Sequence, residues 1–305
     1  MIGYGSFELM SVLVQLRSSE SRVQEGALKF LHSELLDPIK ARIAVNNGIL
    51  DWLCATLTHK TARTEDVLQL TFSLLERFTS VAVAQEKLVD SVILKRLIAT
   101  FSDPLQSMQL RRSLASTLAR LCSHKMGLEQ CMSCCILESL FVVIKEPNYE
   151  IKCMGYSLLR NLIQACEAIS ASNFFLTQLL PLLVSDLRVG SSGVIEVLTE
   201  SCRDEKVRSY CVAANILDSL TSIIRNESFW DLMSVLSVDV RFKKDSFAMG
   251  FLDKAVLDHP SSSQYMLNMS EYPSARDQIR ELLSPQLRDD IRLSRFGSVL
   301  IEKIS

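Results

Sequence analysis

The sequence contains few of the residues that interrupt regular structure, with 10 glycines and 7 prolines among 305 residues. Folds rich in β-strands use these residues at their many turns, so their scarcity argues against a sheet-based architecture. Aromatic residues are also sparse, at 7%. Aliphatic residues and serine dominate instead, which indicates an all-α protein built by packing helix on helix.

The chain has no excess of charge of either sign, because 33 Lys and Arg stand against 35 Asp and Glu. Proteins dedicated to nucleic-acid binding usually carry a basic excess, so this balance argues against that class. No apolar run reaches the ~18 residues of a membrane-spanning helix. The first residues lack the basic segment of a signal peptide. We therefore expect no membrane insertion.

Nine cysteines are present, which is an odd number. They lie within apolar helical stretches, as free thiols do in a reducing compartment. This pattern predicts a location in the cytoplasm, the nucleus or both.

A short apolar motif recurs along the chain and begins with Ile-Leu at Ile49, Ile93, Ile136 and Ile216. The first three copies are 44 and 43 residues apart, and the last follows after 80. A related motif that begins at Phe175 lies between the last two copies. A helical repeat in the low forties is typical of armadillo and HEAT arrays.

Each repeat divides into a long, a short and a medium helix. Apolar residues at helical spacing predict the long ones. The predicted long helices are 22–36, 65–78, 109–122, 150–166, 190–202 and, less regularly, 229–240.

The sequences of several repeats resemble those of the armadillo family. Asn47–Leu50 matches the Gly-Ala-Ile-like opening of the family's medium helix, and Arg22–Leu28 matches its Val-Gln-x-x-Ala start of the long helix. Glu150–Lys152 and Ser157–Leu162 match that long helix again. The resemblance implies a right-handed armadillo-like α-solenoid of about five to six repeats over residues 1–240.

Residues 241–305 depart from this period. Arg241–Asp245 is polar and follows the last recognisable repeat helix, and two amphipathic stretches lie further on, at Ala275–Leu283 and Leu287–Ile304. Two interpretations remain open, a divergent C-terminal helical cap and a separate tail that binds a partner.

The resemblance also implies a concave groove lined by the long helices. Family members that bind nuclear-import peptides carry a Trp and, four residues later, an Asn on each of them. The Trp-equivalent positions here are Lys29, Ser73, Ser116, Ser157 and Glu196. The Asn-equivalent positions are Ser33, Arg77, Arg120, Asn161 and Glu200. Only Asn161 keeps the family residue, so we do not expect an import adaptor.

A different pattern replaces the Trp and Asn residues at these positions. Ser73 and Arg77 recur 43 residues later as Ser116 and Arg120, and Arg160 lies beside Asn161 on the next long helix. A guanidinium binds a carboxylate through two hydrogen bonds. The hypothesis is a partner segment that is acidic where it meets these arginines. The alternative is that the arginines form an ordinary solvated helix face.

One cluster suggests metal chemistry. Cys131 and Cys134 have the spacing of two zinc ligands, with Cys122, His124 and Cys135 nearby in sequence. No second Cys-x-x-Cys pair exists, so buried structural thiols are the competing interpretation. The sequence shows no phosphate-binding loop and no nucleophile motif, and we predict no cofactor and no small-molecule substrate.

These observations together predict a non-enzymatic scaffold or adaptor. Its partner would be a protein segment, extended or helical and disordered until bound, that docks along the groove. One alternative is a solenoid that binds tubulin or nucleic acid through basic ridges. The candidate ridges are Arg111-Arg112, Lys243-Lys244 and Arg288/Arg292/Arg295. The other alternative is a protein with a Cys/His metal site.

Overall fold

The computed structural model describes residues 5–18, 20–58, 65–188, 191–223, 226–258, 261–283, 291 and 296–304. Every regular element within these residues is a helix, and none is a strand. The all-α prediction is therefore confirmed. The chain divides into two compact units, Met1–Ala165 and Cys166–Ser305.

The first unit holds eleven of the described α-helices. They are α1 (Gly5–Gln15), α2 (Ser21–Glu34), α3 (Pro38–Asn46), α4 (Ile49–Thr58), α5 (Glu65–Phe78), α6 (Ala82–Leu88), α7 (Ser91–Ser102), α8 (Met108–Cys122), α9 (Lys125–Ser133), α10 (Ile136–Lys145) and α11 (Tyr149–Ala165).

From α3 onward these helices follow a short, medium, long order three times. The long helices α2, α5, α8 and α11 each pack against the next, and the medium helices α4, α7 and α10 do the same. The unit therefore has a layer of long helices and a layer of medium helices, with the core between them. The long helices lie within two residues of the predicted bounds because their apolar period is strong.

Helix α5 illustrates how the sequence creates this core. Val67, Leu74 and Phe78 recur on one side of the helix at a spacing of three to four residues or its multiple, and each is at most 1% exposed. Burying each of these side chains contributes roughly 1.5–3 kcal/mol. The opposite side carries Asp66 and Gln69, which are exposed. One helix thus supplies both a core face and a surface face.

The second unit begins with a 3₁₀ turn at Glu167–Ile169 and a π-helical turn at Phe175–Leu179. Its described α-helices are α12 (Leu180–Leu187), α13 (Ser192–Ser201), α14 (Glu205–Ala213), α15 (Ile216–Leu220), α16 (Glu227–Leu236), α17 (Val240–Ala248), α18 (Phe251–Leu257), α19 (Ser263–Met269), α20 (Pro273–Leu282) and α21 (Gly297–Ile304). Within this unit α13, α16 and α19, which take the places of the long helices, again pack in sequence.

The structure corrects the prediction for residues 229–245. The helix predicted over 229–240 ends at Leu236, and residues 241–245 belong to α17. Asp239 caps α17, since its carboxylate accepts from the backbone N–H groups of Arg241 and Phe242. Helix α19 packs on α16 as α16 packs on α13. Helices α17, α18 and α19 therefore take the places of the short, medium and long helices, although they have nine, seven and seven residues. The domain boundary after residue 240 stays a prediction, although the helical order continues beyond it.

The C-terminal helix of the second unit is packed rather than extended. Helix α21 contacts α19 and α20. Leu300 and Ile304 are at most 1% exposed, and Arg280 Nε donates to the backbone oxygen of Ile304 at 2.7 Å. This packing is what the cap interpretation of residues 241–305 requires. Residues 287–290 of the predicted helix Leu287–Ile304 lie outside the described residues, as do 292–295.

Candidate functional site

The outward side of α2, α5, α8 and α11 in the first unit, called here the long-helix face, holds nine of the eleven residues predicted to contact a partner. Its members are Lys29, Ser33, Ser73, Arg77, Ser116, Arg120, Ser157, Arg160 and Asn161. Each of these residues is exposed or half-buried. The last two predicted residues, Glu196 and Glu200, lie on α13 in the second unit.

Helices α2 and α5 are joined by a polar link that includes two predicted residues. The Ser73 Oγ lies 2.8 Å from His32 Nε2, and Arg77 Nη1 donates to the backbone oxygen of His32 at 2.6 Å. Burial, and to a lesser degree the nearby Arg77 charge, lower the pKa of His32. Arg77 is therefore half-buried and holds one helix against the next, instead of standing free in solvent.

Helices α5 and α8 are joined around a carboxylate that the sequence reasoning missed. Glu76 Oε1 accepts a hydrogen bond from Ser116 Oγ at 3.0 Å and pairs with Arg120 Nη2 at 3.0 Å. The Arg120 side chain is 50% exposed. A pair as accessible as this contributes little, about 0.2–1 kcal/mol. Glu76 lies three residues after Ser73, so helical spacing could have placed it on this face.

A depression of about 470 Å³, called here the arginine depression, lies where these helices end. Its lining combines Arg77, Arg120 and Glu76 with the apolar Leu36 and Val81. Leu36 is 72% exposed. The site therefore offers an accessible apolar surface beside the guanidinium of Arg120, whose ion pair with Glu76 is weak.

A second depression of about 530 Å³, called here the acidic depression, lies on the same face. Carboxylates of Glu25, Asp66 and Glu76 line it together with one cation, Lys29. Lys29 pairs with Glu25 one helical turn away at 2.5 Å. The charge of the long-helix face thus changes from acidic to basic within a few residues, and Glu76 belongs to both depressions.

The remaining predicted residues lie on α11 of the first unit and α13 of the second unit. Ser157 and Asn161 are exposed on α11. In the second unit, Glu200 pairs with Arg203 at 3.1 Å. The predicted turn of the groove toward acidic character at Glu196 and Glu200 stays a prediction.

The fold brings Cys122 and Cys131 together but does not assemble the rest of the cysteine cluster around them. Cys122, Cys131 and Cys134 are buried, whereas Cys135 is exposed. The exposed His124 ring contacts Gln85 at 3.0 Å. No group of three or more His, Cys, Asp or Glu side chains in the described part of the chain is placed to hold a metal ion.

The first of the three candidate basic ridges is neutralised internally, and the second only in part, because Lys244 is exposed. Arg111 is fully buried and makes a two-pronged contact with Glu146, with Nη1 donating at 2.8 Å. Arg112 pairs with Glu150. Lys243 is buried and pairs with Glu271 at 2.5 Å. The third ridge, at Arg288, Arg292 and Arg295, lies outside the described residues.

Within the described residues, no individual helix has both the length and the apolarity needed to cross a membrane. Two pairs of consecutive helices meet both criteria when taken together, Asp66–Phe78 with Ala82–Leu88 and Lys125–Ser133 with Ile136–Lys145, but these pairs are bent by 112° and 72°.

Comparison with known proteins gives matches among solved structures only. No family model matches the sequence, and no curated protein does either. An engineered protein superposes with a TM-score of 0.61 at 15% identity, covering 97% of this chain and 88% of its own. The designed armadillo repeat protein YIII(Dq.V1)4CPAF, in complex with the peptide (KR)4, gives 0.57 at 16% identity, covering 75% and 98%.

Computationally designed armadillo repeat proteins for modular peptide recognition give a TM-score of 0.56 at 15% identity, with the same coverage of 75% and 98%. At such low identities the likeness concerns the fold. It confirms the predicted architecture, and the chain has an all-α, armadillo-like repeat fold.

Proposed function

We propose that this protein is a non-enzymatic interaction scaffold whose long-helix face in the first unit binds a segment of a partner protein. The segment is extended or helical, is disordered until bound, and presents an acidic residue to Arg120. The proposed compartment is the cytoplasm or the nucleus, where free thiols are normally maintained.

The observation that carries this proposal is the arginine depression. Leu36 and Val81 provide apolar surface for one side chain of the partner, and Arg120 lies within the same depression. Because the exposed pair of Arg120 with Glu76 is weak, a partner carboxylate displaces Glu76 at small cost. Apolar anchoring beside a charged contact is a common way for a groove to recognise a short segment.

The neighbouring acidic depression limits what the partner can be. Its carboxylates would repel a uniformly acidic segment, since Glu25 and Asp66 line it with only Lys29 as a counter-charge. The proposed segment is therefore acidic only where it meets Arg120. The similar designed proteins support the general mode of binding, because one of them is in complex with a peptide and others were designed for modular peptide recognition.

A peptide selection tests the proposal. A displayed library of segments from disordered proteins is selected against the intact chain, and the enriched peptides are measured again against Arg120→Glu. We expect enriched peptides to share an aliphatic residue near an acidic one. Their affinity should fall at least tenfold in Arg120→Glu, since an attraction becomes a repulsion.

The matched control is Arg112→Glu on the same helix α8. Arg112 is 62% exposed and is also paired with a carboxylate, Glu150, but it does not line the arginine depression. Enriched peptides that bind both variants as well as they bind the unmodified chain would contradict the proposal. Circular dichroism verifies that both variants are folded.

A further inference from the structure

The joint between a long helix and the next short helix holds a pair of buried thiols in the second unit. Cys202 Sγ lies 3.6 Å from Cys211 Sγ, and both residues are 0% exposed. Cys202 follows α13 and Cys211 lies on α14. The two sulfur atoms therefore face each other across a single helix–turn–helix joint.

The same pair occurs at the equivalent joint of the first unit. Cys122 ends α8 and Cys131 lies on α9. They are at most 1% exposed, and their thiols share a hydrogen bond. Relative to the residue that caps the short helix, His124 or Asp204, each pair occupies the same two positions.

Other joints show what these two positions usually hold. The corresponding residues are Leu35 and Ala44, Thr79 and Leu88, and Ser237 and Ser246. The last pair is also fully buried, and its hydroxyl groups donate to backbone oxygens of their own helices. A joint of this fold therefore accepts two small polar side chains without requiring thiols.

We propose that Cys202 and Cys211, and equivalently Cys122 and Cys131, are oxidation sites at which two thiols close into a disulfide across the joint. A disulfide has a sulfur–sulfur distance of about 2.05 Å. The 3.6 Å separation of Cys202 and Cys211 is already that of two sulfur atoms in contact, so closure needs only a small movement of each side chain.

The oxidant class is hydrogen peroxide, and the reaction balances with it. One thiol loses its proton and its sulfur attacks peroxide, forming an S–O bond while the O–O bond breaks and hydroxide leaves. The second sulfur attacks that sulfenic acid, so an S–S bond forms and the S–O bond breaks. Two electrons pass from the sulfurs to one peroxide, and two molecules of water result.

Burial sets the rate of this reaction. The hydrogen bond to Cys211, together with burial, raises the pKa of Cys202, so the thiolate that attacks peroxide is scarce in the closed joint. Oxidation therefore proceeds through brief opening of the joint. The neighbouring sulfur then captures the sulfenic acid before it oxidises further.

Peptide mapping tests the proposal on the intact chain. The protein is treated with hydrogen peroxide, its remaining thiols are alkylated, and it is cleaved after Lys and Arg without reduction. Arg203, Lys206 and Arg208 lie between Cys202 and Cys211, so cleavage separates these cysteines unless a disulfide joins them. We expect a joined pair of peptides lighter by two hydrogen atoms, and a Tm higher by about 5 °C that reverses on reduction.

The matched control is the double variant Cys202→Ser, Cys211→Ser, which copies the Ser237 and Ser246 joint of the same unit. It should fold and lose the joined peptides. The proposal is overturned if the folded, oxidised chain yields Cys202 and Cys211 as free thiols, as sulfinic acids or joined to other cysteines.

Discussion

At the scale of single residues, a left-handed backbone position recurs before the medium helices. Gly48, Cys135, Asn215 and Gly250 all have positive φ, at 80°, 61°, 52° and 69°. Each directly precedes a medium helix. Glycine adopts this conformation freely and asparagine tolerates it, whereas other residues do so at a cost. Cys135 is therefore the residue least suited to its position.

We expect Cys135→Gly to raise the free energy of unfolding. The left-handed conformation costs a non-glycine residue about 1–2 kcal/mol, and the greater flexibility of glycine in the unfolded chain returns about 0.5–1 kcal/mol of that gain. The net stabilisation should be roughly 0.5–1 kcal/mol, measured by urea denaturation. Gly48→Ala should have the opposite sign, because φ at Gly48 is 80°. Lack of space is not the cause, since a Cβ there meets only Asp51 Oδ2 at 3.6 Å. Stabilities that change in the same direction in both variants would refute this account.

The residue scale also shows what the sequence does and does not predict. Gly48 was predictable, since a glycine before an Ile-Leu pair indicates the turn that opens a medium helix. The positive φ of Cys135 was not predictable, because nothing in a cysteine side chain favours that conformation. It follows from the turn between α9 and α10. Glu76 was missed for another reason. The pattern of the import receptors concerns two positions of each long helix, and Glu76 occupies neither.

At the scale of elements, the joint between α8 and α9 depends on a close approach. An ideal Cβ built on Gly127 would lie 2.0 Å from the backbone oxygen of Leu121. No side chain fits there, because the obstacle is backbone and cannot rotate away. The position of α9 against the end of α8 therefore requires glycine.

We expect Gly127→Ala to lower the free energy of unfolding by about 3 kcal/mol, as overpacking of a rigid contact does. Gly26 is the control, because a Cβ built on it meets nothing within 4 Å. Gly26 lies within α2, where alanine is the better helix former, so Gly26→Ala should stabilise by about 0.5–1 kcal/mol. Thermal unfolding of both variants measures the difference, and equal effects would contradict the close approach.

The array beyond residue 240 was hidden by a change in period. Phe251-Leu252-Asp253 follows Gly250 just as Ile216-Leu217-Asp218 follows Asn215. The interval between them is only 35 residues, shorter than the intervals of 43 and 44 between the first copies of the repeat. Because α18 and α19 have seven residues each, their apolar period is too brief to stand out. Short helices can therefore keep their position in the fold although their sequence no longer shows a recognisable apolar period.

At the scale of the whole molecule, the described helices form three short, medium, long triplets in the first compact unit, and α14–α16 and α17–α19 take the same places in the second. The all-α class, the repeat and the long helices were predictable, since apolar periodicity carries them. The polar links across the long-helix face were not, because a side-chain contact between residues some forty positions apart leaves no local pattern. The pairing of Arg120 with Glu76 is such a contact.

Ion pairs of Glu271 connect helices at the C-terminal end of the second unit. Glu271 accepts from Lys243 of α17 at 2.5 Å and from Lys303 of α21 at 3.3 Å. The hydrogen bond from Lys243 is the main reason that the pKa of Glu271 is lowered from its ordinary value of 4.5. A carboxyl group whose folded-state pKa is lowered stabilises the fold above its unfolded pKa, and this contribution disappears as the pH falls through the folded value.

We therefore expect Glu271→Gln to reduce stability at neutral pH, and the difference from the unmodified chain to vanish as the pH falls below 4.5. Urea denaturation at a series of pH values measures this difference. Glu281→Gln, at an exposed position on α20, should show little change at any pH. A deficit of the Glu271 variant that persists undiminished in acid would show that the carboxylate charge is not its cause.

A charge-swap measurement tests the central claim, that the long-helix face binds a partner segment through Arg120, most directly. The affinity of one selected peptide and of its acidic-to-lysine variant is measured by fluorescence anisotropy against the unmodified chain and against Arg120→Glu. The account predicts that either change alone weakens binding at least tenfold and that both together restore most of the loss. Losses that simply add in the double change would contradict the contact and place the binding surface elsewhere.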